Sequence, residues 1–514
     1  MNHPAHFGQR QRMGLLLILA VTLAAVMQWT QQYRFYAKEV EHLWLNDSLW
    51  IVSWLKVPGG MAQLMTSALT QFFGICGVGA SVMSVLLTSL IGLGWGITRK
   101  LGGSTWVMSW WLLPVAFLFL CHENGYYGIR GTLSTVLAVG GAWWYARHQL
   151  GWLAVVLIGL TFWMAGASAG LLALMIVAIE LMNGRRWLIM GLSVLTVVLA
   201  AGLAVRHGVW ISMEEALTPA QYYEWPSTYY TPIYAWVSML VLLLLASNKR
   251  QPKMTRVLSV LGVLVSVTVA SGLYSMVHNP RIYLLREDEW RASQEDWDGI
   301  IASHEGLNTP TPFISYLNLA LAQKGQLVQR MGEFRPYIAW SDEAQMYSPV
   351  LMTQNELSRD ALKLQSCVCM AWGGAALSNA QKAAYEANFL TPGDTDPVEL
   401  HRLALTNQLF ETPATAQKYL RRLSRTTMHH AWADERLTDP SLLAHEAESL
   451  GKTLPEEDGF YMKTQVVRCL HQTAYQHPEN QVATQFYEAY LIQSRDSVAF
   501  RHWHEFLDEQ GTKK

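Results

Sequence analysis

A chain of 514 residues that is 51% hydrophobic and only 15% charged has too much apolar surface for an ordinary soluble protein. Its net charge of −1 conceals two bodies of opposite sign: residues 1–280 carry 16 Lys and Arg against 8 Asp and Glu, and residues 281–514 carry the remaining 22 against 31. Neither half has the basic stripe that nucleic acid requires, so that class of partner is excluded.

The split predicts an all-α protein in two parts, a polytopic membrane domain over 1–280 and an acidic, water-soluble helical domain over 281–514. Apolar runs long enough for about 30 Å of hydrocarbon cover 13–29, 72–97, 106–121 and 131–145. The next run, 150–182, is too long for one ordinary span, and Gly166-Ala167-Ser168-Ala169-Gly170 at its middle reads as a tight turn between two short helices. Runs at 187–205, 233–247 and 257–277 complete about nine spans. Residues 13–29 resemble a signal peptide, but no small-residue cleavage site follows, so they read as a retained span.

Positive charge fixes the orientation. With the N-terminus inside, inner loops hold Arg10, Arg12, Arg99, Lys100, Arg147, Arg185, Arg186, Lys249, Arg250, Lys253 and Arg256, which is 11 of the 16 basic residues in this half. Seven of its eight acids fall in outer loops, Glu180 being the exception, and Glu180 lies where Arg185 or Arg186 can pair with it. An odd span count places 281–514 outside, which in a bacterial cell is the periplasm, with the protein in the inner membrane.

That outer domain shows helical periodicity at 314–327, 356–377, 380–389, 398–410, 414–423 and 481–491. An offset of 36 relates Leu364 and Ala380-Gln381-Lys382 to Leu400 and Ala416-Gln417-Lys418, close to the period of tetratricopeptide-like hairpins. Five cysteines, Cys76, Cys121, Cys367, Cys369 and Cys469, lack the paired spacing of a zinc site. Cys367 and Cys369 would lie on opposite helix faces, and a bond from either to Cys469 is left open.

Candidate chemistry concentrates in the first outer loop, residues 31–71. If residues 35–55 form one helix, Asp47 falls in its apolar stripe, where burial would raise its pKa toward that of a general base. Alternatively Asn46-Asp47-Ser48 caps a second short helix. Glu39 and Glu41 point about 200° apart on a helix, so at most one of them faces a site. In the second outer loop Glu123 either pairs with Arg130 or serves as a site carboxylate or metal ligand, with His122 beside it. Arg34, Lys38, Arg130 and Arg206 are the outer cations able to hold a lipid phosphate. Tyr222, Tyr223 and the aromatics up to Tyr230 read as an interfacial belt or as a platform for a sugar or isoprenoid. Gly92, Gly94 and Gly96 lie inside a span and read as packing. His429, His430, His471 and His477 read as surface residues.

Two resemblances follow from these residues. Glu39, Pro58-Gly59-Gly60 and Gln71, with SYLNLALAQKGQL at 315–327 and AYEANFLTP at 384–392, resemble an uncharacterised multi-pass membrane family of Bacteroides-type bacteria, over nearly the whole chain. The layout is also similar to GT-C glycosyltransferases, which combine a long first outer loop bearing an acid, a second acid after the third span and a C-terminal periplasmic domain. The GT-C resemblance implies a polyprenyl-phosphate sugar as donor, Asp47, Glu39 or Glu41 as the first acid and Glu123 as the second. No Asp-Asp, Asp-Glu or Asp-x-Asp pair stands at either place, so a divalent metal is left open and none is assigned. The other reading is a membrane-anchored scaffold whose helical domain binds an envelope protein.

Overall fold

A computed structural model of the chain describes residues 9–41, 43–125, 127–183, 186–223, 231–246, 254–306, 314–334, 358–390, 396–410, 412–451 and 466–512. Among them the backbone is helical, with one isolated β-bridge between Tyr127 and Tyr223 and no strand. The chain divides into two compact units, one of residues 1–35 and 46–279, the other of residues 36–45 and 280–514.

In the first unit, α1 (Gln9–Glu41) continues well past the expected end of its apolar run. The loop expected from residue 31 therefore starts only after Glu41, and Arg34 and Lys38 are helical residues. The stretch 35–55 is not one helix: α2 (Ser48–Leu55) is separate, and Asp47 is its N-cap. Next come α3 (Gly60–Thr70), α4 (Val78–Lys100), α5 (Thr105–Trp110) and α6 (Leu112–Cys121). The expected span over 106–121 is present as the apolar stretch Thr105–Cys121, with α5 and α6 meeting at Trp111, a fully buried residue with αR backbone whose indole donates to Thr98 Oγ1 at 3.1 Å. A Cβ on Gly94 would meet this ring at 2.1 Å, and one on Gly96 would meet Trp143, so those glycines do serve packing.

The unit continues with α7 (Ile129–His148), α8 (Leu153–Ala165), α9 (Ser168–Asn183), α10 (Trp187–Arg206), α11 (Met213–Leu217), α12 (Thr231–Ala246) and α13 (Thr255–Val277). The long run 150–182 is indeed two helices, parted at Gly166 with φ 67°. At the far end of α9, buried Glu180 accepts from Tyr145 Oη and Arg186 Nε, each at 2.6 Å. Among the described residues four helices are long and apolar enough to cross a membrane: Arg10–Val40, Val78–Lys100, Trp187–Arg206 and Thr255–Val277. Apolar but shorter are Thr105–Cys121, Leu153–Ala165, Ser168–Met182 and Pro232–Ala246. Outward-facing Leu188, Leu199, Val260 and Val267 give these helices the apolar exterior that lipid solvates.

The second unit contains α14 (Pro280–Ser293), α15 (Trp297–His304), α16 (Ile314–Gln323), α17 (Leu327–Arg330), α18 (Ser358–Trp372), α19 (Leu377–Leu390), α20 (Pro397–Leu409) and α21 (Pro413–Leu423). It ends with α22 (His430–Thr438), α23 (Pro440–Gly451), α24 (Val466–Gln476), α25 (Gln481–Ser494) and α26 (Ser497–Thr512). α14, α15, α22, α23, α24 and α26 lie outside the segments expected from periodicity. Residues matched by the 36-residue offset are buried: Leu364 and Leu400 on α18 and α20, Ala380 and Ala416 on α19 and α21. The last turn of α1 and the residues after it belong here, with Tyr36 stacked on Trp290 at 4.9 Å. Cys76, Cys121, Cys367 and Cys369 are free thiols, and the side chain of Cys469 lies outside the described residues.

Buried charge knits this unit together. Lys363 of α18 pairs with Glu289 of α14 and, at 3.1 Å, with Asp396, the N-cap of α20. Arg402 and Ser366 both bond the Glu399 carboxylate, at 2.6 and 2.8 Å. Asp288 and His304, both fully buried, join α14 to α15 at 2.8 Å. Burial pushes Asp288 up to about 6, against the pull of His304. Its native pKa thus lies above the unfolded value, so folding favours the protonated Asp288 carboxyl, whose contribution to stability is fully present below about pH 4. That contribution, about 3 kcal/mol, is lost as pH rises through about 6. Thermal unfolding of the full chain in nanodiscs between pH 4 and 7 should show this loss, and Asp288→Asn should flatten it.

Candidate functional site

Glu123 follows the C-terminus of α6, where His122 and Glu123 continue the last turn through bonds to Phe119 O and Leu120 O. Its side chain is fully buried in the first unit, and three side chains converge on it. Arg34 Nη2 lies 3.3 Å from Oε2, His278 Nδ1 lies 2.9 Å from the same oxygen, and Gln31 Nε2 donates to Oε1. Gln31 and Arg34 sit three residues apart on one face of α1, while His278 is the C-cap of α13. An isolated carboxylate would be very costly here, and the Arg34 guanidinium with the His278 imidazole and the Gln31 amide is what makes its burial tolerable.

A second ring of contacts holds the first. The carbonyl of His122 accepts from Arg34 Nη1 at 3.4 Å, so the guanidinium is gripped by two successive residues of one turn. His122 Nε2 lies 2.8 Å from Thr132 Oγ1 on α7, and its ring meets Tyr127 edge-on at 5.0 Å. Tyr274 of α13 stacks on His278 at 4.7 Å and 15°, fixing the imidazole plane. With Nδ1 directed at Glu123, the second ring nitrogen of His278 is on a side chain that stays 20% exposed. A carboxylate that orients an imidazole in this way is the arrangement of a general acid–base dyad.

The other expected residues disperse. Asp47 accepts from Leu49 N at 2.9 Å as a helix cap, which realises the second of its two readings. Glu39 and Lys38 belong to the second unit, where Glu39 Oε1 lies 3.4 Å from His429 Nε2 and Lys38 is buried. His429 is therefore not a free surface residue; it also meets the His401 ring at 5.8 Å. The side chain of Glu41 and residues 224–230 lie outside the described residues. Arg130 donates to the carbonyl of Gln221, and Arg206 is exposed in the last turn of α10. Among the described residues no three His, Cys, Asp or Glu gather as for a metal ion, and the groups around Glu123 are those that neutralise an acid.

Sequence reasoning missed Gln31 and His278. Gln31 was legible as the start of a polar i, i+3 face closing an apolar helix. His278 carried no such mark, being one histidine after the last apolar run and 155 residues from its partner.

The fold and site define a helical protein with several apolar membrane-length helices and a buried, ion-paired carboxylate at a helix end. The chain belongs to a family of unknown function (DUF6057), whose profile matches residues 9–510. No curated protein and no solved structure matches it.

Removing Arg34 leaves a buried carboxylate short of a cation, so Arg34→Ala should cost about 3–5 kcal/mol, whereas Asp47→Ala should cost about 1 kcal/mol as a lost cap. Thermal unfolding of both variants in nanodiscs measures the difference.

Proposed function

We propose that this is a multi-pass inner-membrane glycosyltransferase of GT-C-like layout, using a polyprenyl-phosphate sugar at the periplasmic face. The observation that carries the reading is the Glu123–His278 pair, buried with Arg34 at a helix end and oriented by stacking on Tyr274. His278 takes the proton of the acceptor hydroxyl at its second ring nitrogen while Glu123 holds the imidazole and the charge it gains. The acceptor oxygen bonds to the anomeric carbon, the bond from that carbon to the phosphate oxygen breaks, and the lipid phosphate departs with the electron pair. Arg34, beside Glu123, and Arg130, at the start of α7, are the cations that would stabilise that phosphate. The nine-span reading, with its odd count and inner-loop positive charge, supports the periplasmic placement, and the register of Leu364 with Leu400 supports a tetratricopeptide-like outer domain.

Asp47 and Glu39, occupied as a cap and by His429, favour a second reading in which the membrane unit is an anchor and the helical unit binds an envelope protein. One experiment separates the two. Turnover of a polyprenyl-phosphate sugar by purified protein should fall about 10²–10⁴-fold in Glu123→Gln and in His278→Ala, and change little in Asp47→Asn. Absence of turnover by the wild-type protein would end the enzymatic reading in favour of the scaffold, and undiminished turnover in both site variants would remove Glu123 and His278 from the chemistry.

A further inference from the structure

The first unit exposes apolar side chains that do not belong to its membrane-length helices. On α2, sequence SLWIVSWL, no residue is buried, Leu49 is 79% exposed and Val52 44%. In the turn between α10 and α11, Ile211 is 93% exposed. A mobile tail could tolerate such exposure, but these are held segments. Asp47 caps α2, and Leu55 O accepts from the Trp163 indole at 2.9 Å. Gly59 N donates to Trp163 O at 2.8 Å, and Gly60 approaches Trp54 O so closely that a Cβ would lie 1.8 Å from it. Ile211 is pinned likewise, its own N–H donating to Glu215 Oε2 at 3.0 Å while Ser212 caps α11.

Both segments lie at the same end of the unit. α2 is tied to Trp163, two residues before the end of α8 and the turn at Gly166. α9 leaves that turn and α10, packed against α9, returns toward it, ending at Arg206 just before Ile211. Tyr222 Oη, which donates to Ala165 O at 2.6 Å, closes the loop back onto the turn. This is the level at which apolar helices stop, and Trp163 marks it as a tryptophan marks a bilayer interface. Exposed Lys56 after α2 and exposed Arg206 before Ile211 set positive charge beside the apolar side chains. Rigidly presented aliphatic groups flanked by cations at the ends of spans fit lipid acyl chains beneath phosphate headgroups.

We propose that α2 lies flat in the membrane interface, with Leu49, Val52 and Ile211 inserted into the acyl region and Lys56 and Arg206 on lipid phosphates. Arg206 is then a headgroup contact, and the membrane footprint of this face extends beyond the helices that cross it. This assignment is independent of catalysis.

The test uses full-length protein in nanodiscs, with Cys76, Cys367 and Cys469 changed to serine and one cysteine returned for labelling with the environment-sensitive dye NBD. Leu49→Cys and Ile211→Cys should give blue-shifted emission relative to exposed Glu435→Cys, lose emission in nanodiscs of acyl-brominated phospholipid, and resist aqueous iodide. Iodide quenching at 49 and 211 equal to that at 435 would show water there and overturn the proposal. Resistance to both quenchers would show that protein covers these positions, and would overturn it as well.

Discussion

The buried carboxylate of Glu123 is the constraint on which the first unit depends. Its burial is tolerable only while Arg34 and His278 face it, and those residues come from opposite ends of the membrane unit's sequence. The first and last long helices of the unit are thereby brought to the turn after α6. Hydrophobic packing alone would leave apolar helices free to slide and rotate in a medium as apolar as they are, because lipid supplies no driving force between them. A short set of charge-assisted bonds supplies the register that packing does not.

The second unit uses the same physics in water. Lys363, Glu289 and Asp396 join three helices through buried ion pairs, and Glu399, Ser366 and Arg402 repeat the device one turn further along α20. Such pairs add little net stability over a well-packed apolar core, because desolvation offsets the attraction. They do penalise every arrangement in which one partner is buried alone. A helical array with modest apolar periodicity gains a defined packing from that penalty, and burial raises the Asp288 carboxyl in spite of His304 beside it.

Much of the architecture was legible because it follows from local pattern. The break at Gly166, the packing role of Gly94 and Gly96, the pairing of Glu180 with Arg186 and the helices from α18 to α21 all rest on periodicity, glycine placement or neighbours a few residues apart. Where local pattern was weak, the reading failed. α1 runs through Arg34 and Lys38 because a polar sequence continues a helix already nucleated and propagating, and apolar content does not report that. α22 and α26 went unseen because their buried faces are narrow, Ala433 and Trp503 being the fully buried residues of each.

The sequence by itself determined that apolar, membrane-length helices precede an acidic helical part, since composition and period depend only on neighbours along the chain. It also placed Glu123 among four candidate acids. Only the tertiary structure gave three of them different surroundings: Asp47 became a helix cap, Glu39 met His429, and Glu123 was surrounded by Gln31, Arg34 and His278. The physical reason is distance along the chain. A carboxylate's environment is set by groups within a few ångströms, and here those groups lie 92, 89 and 155 residues away, where no local pattern records them.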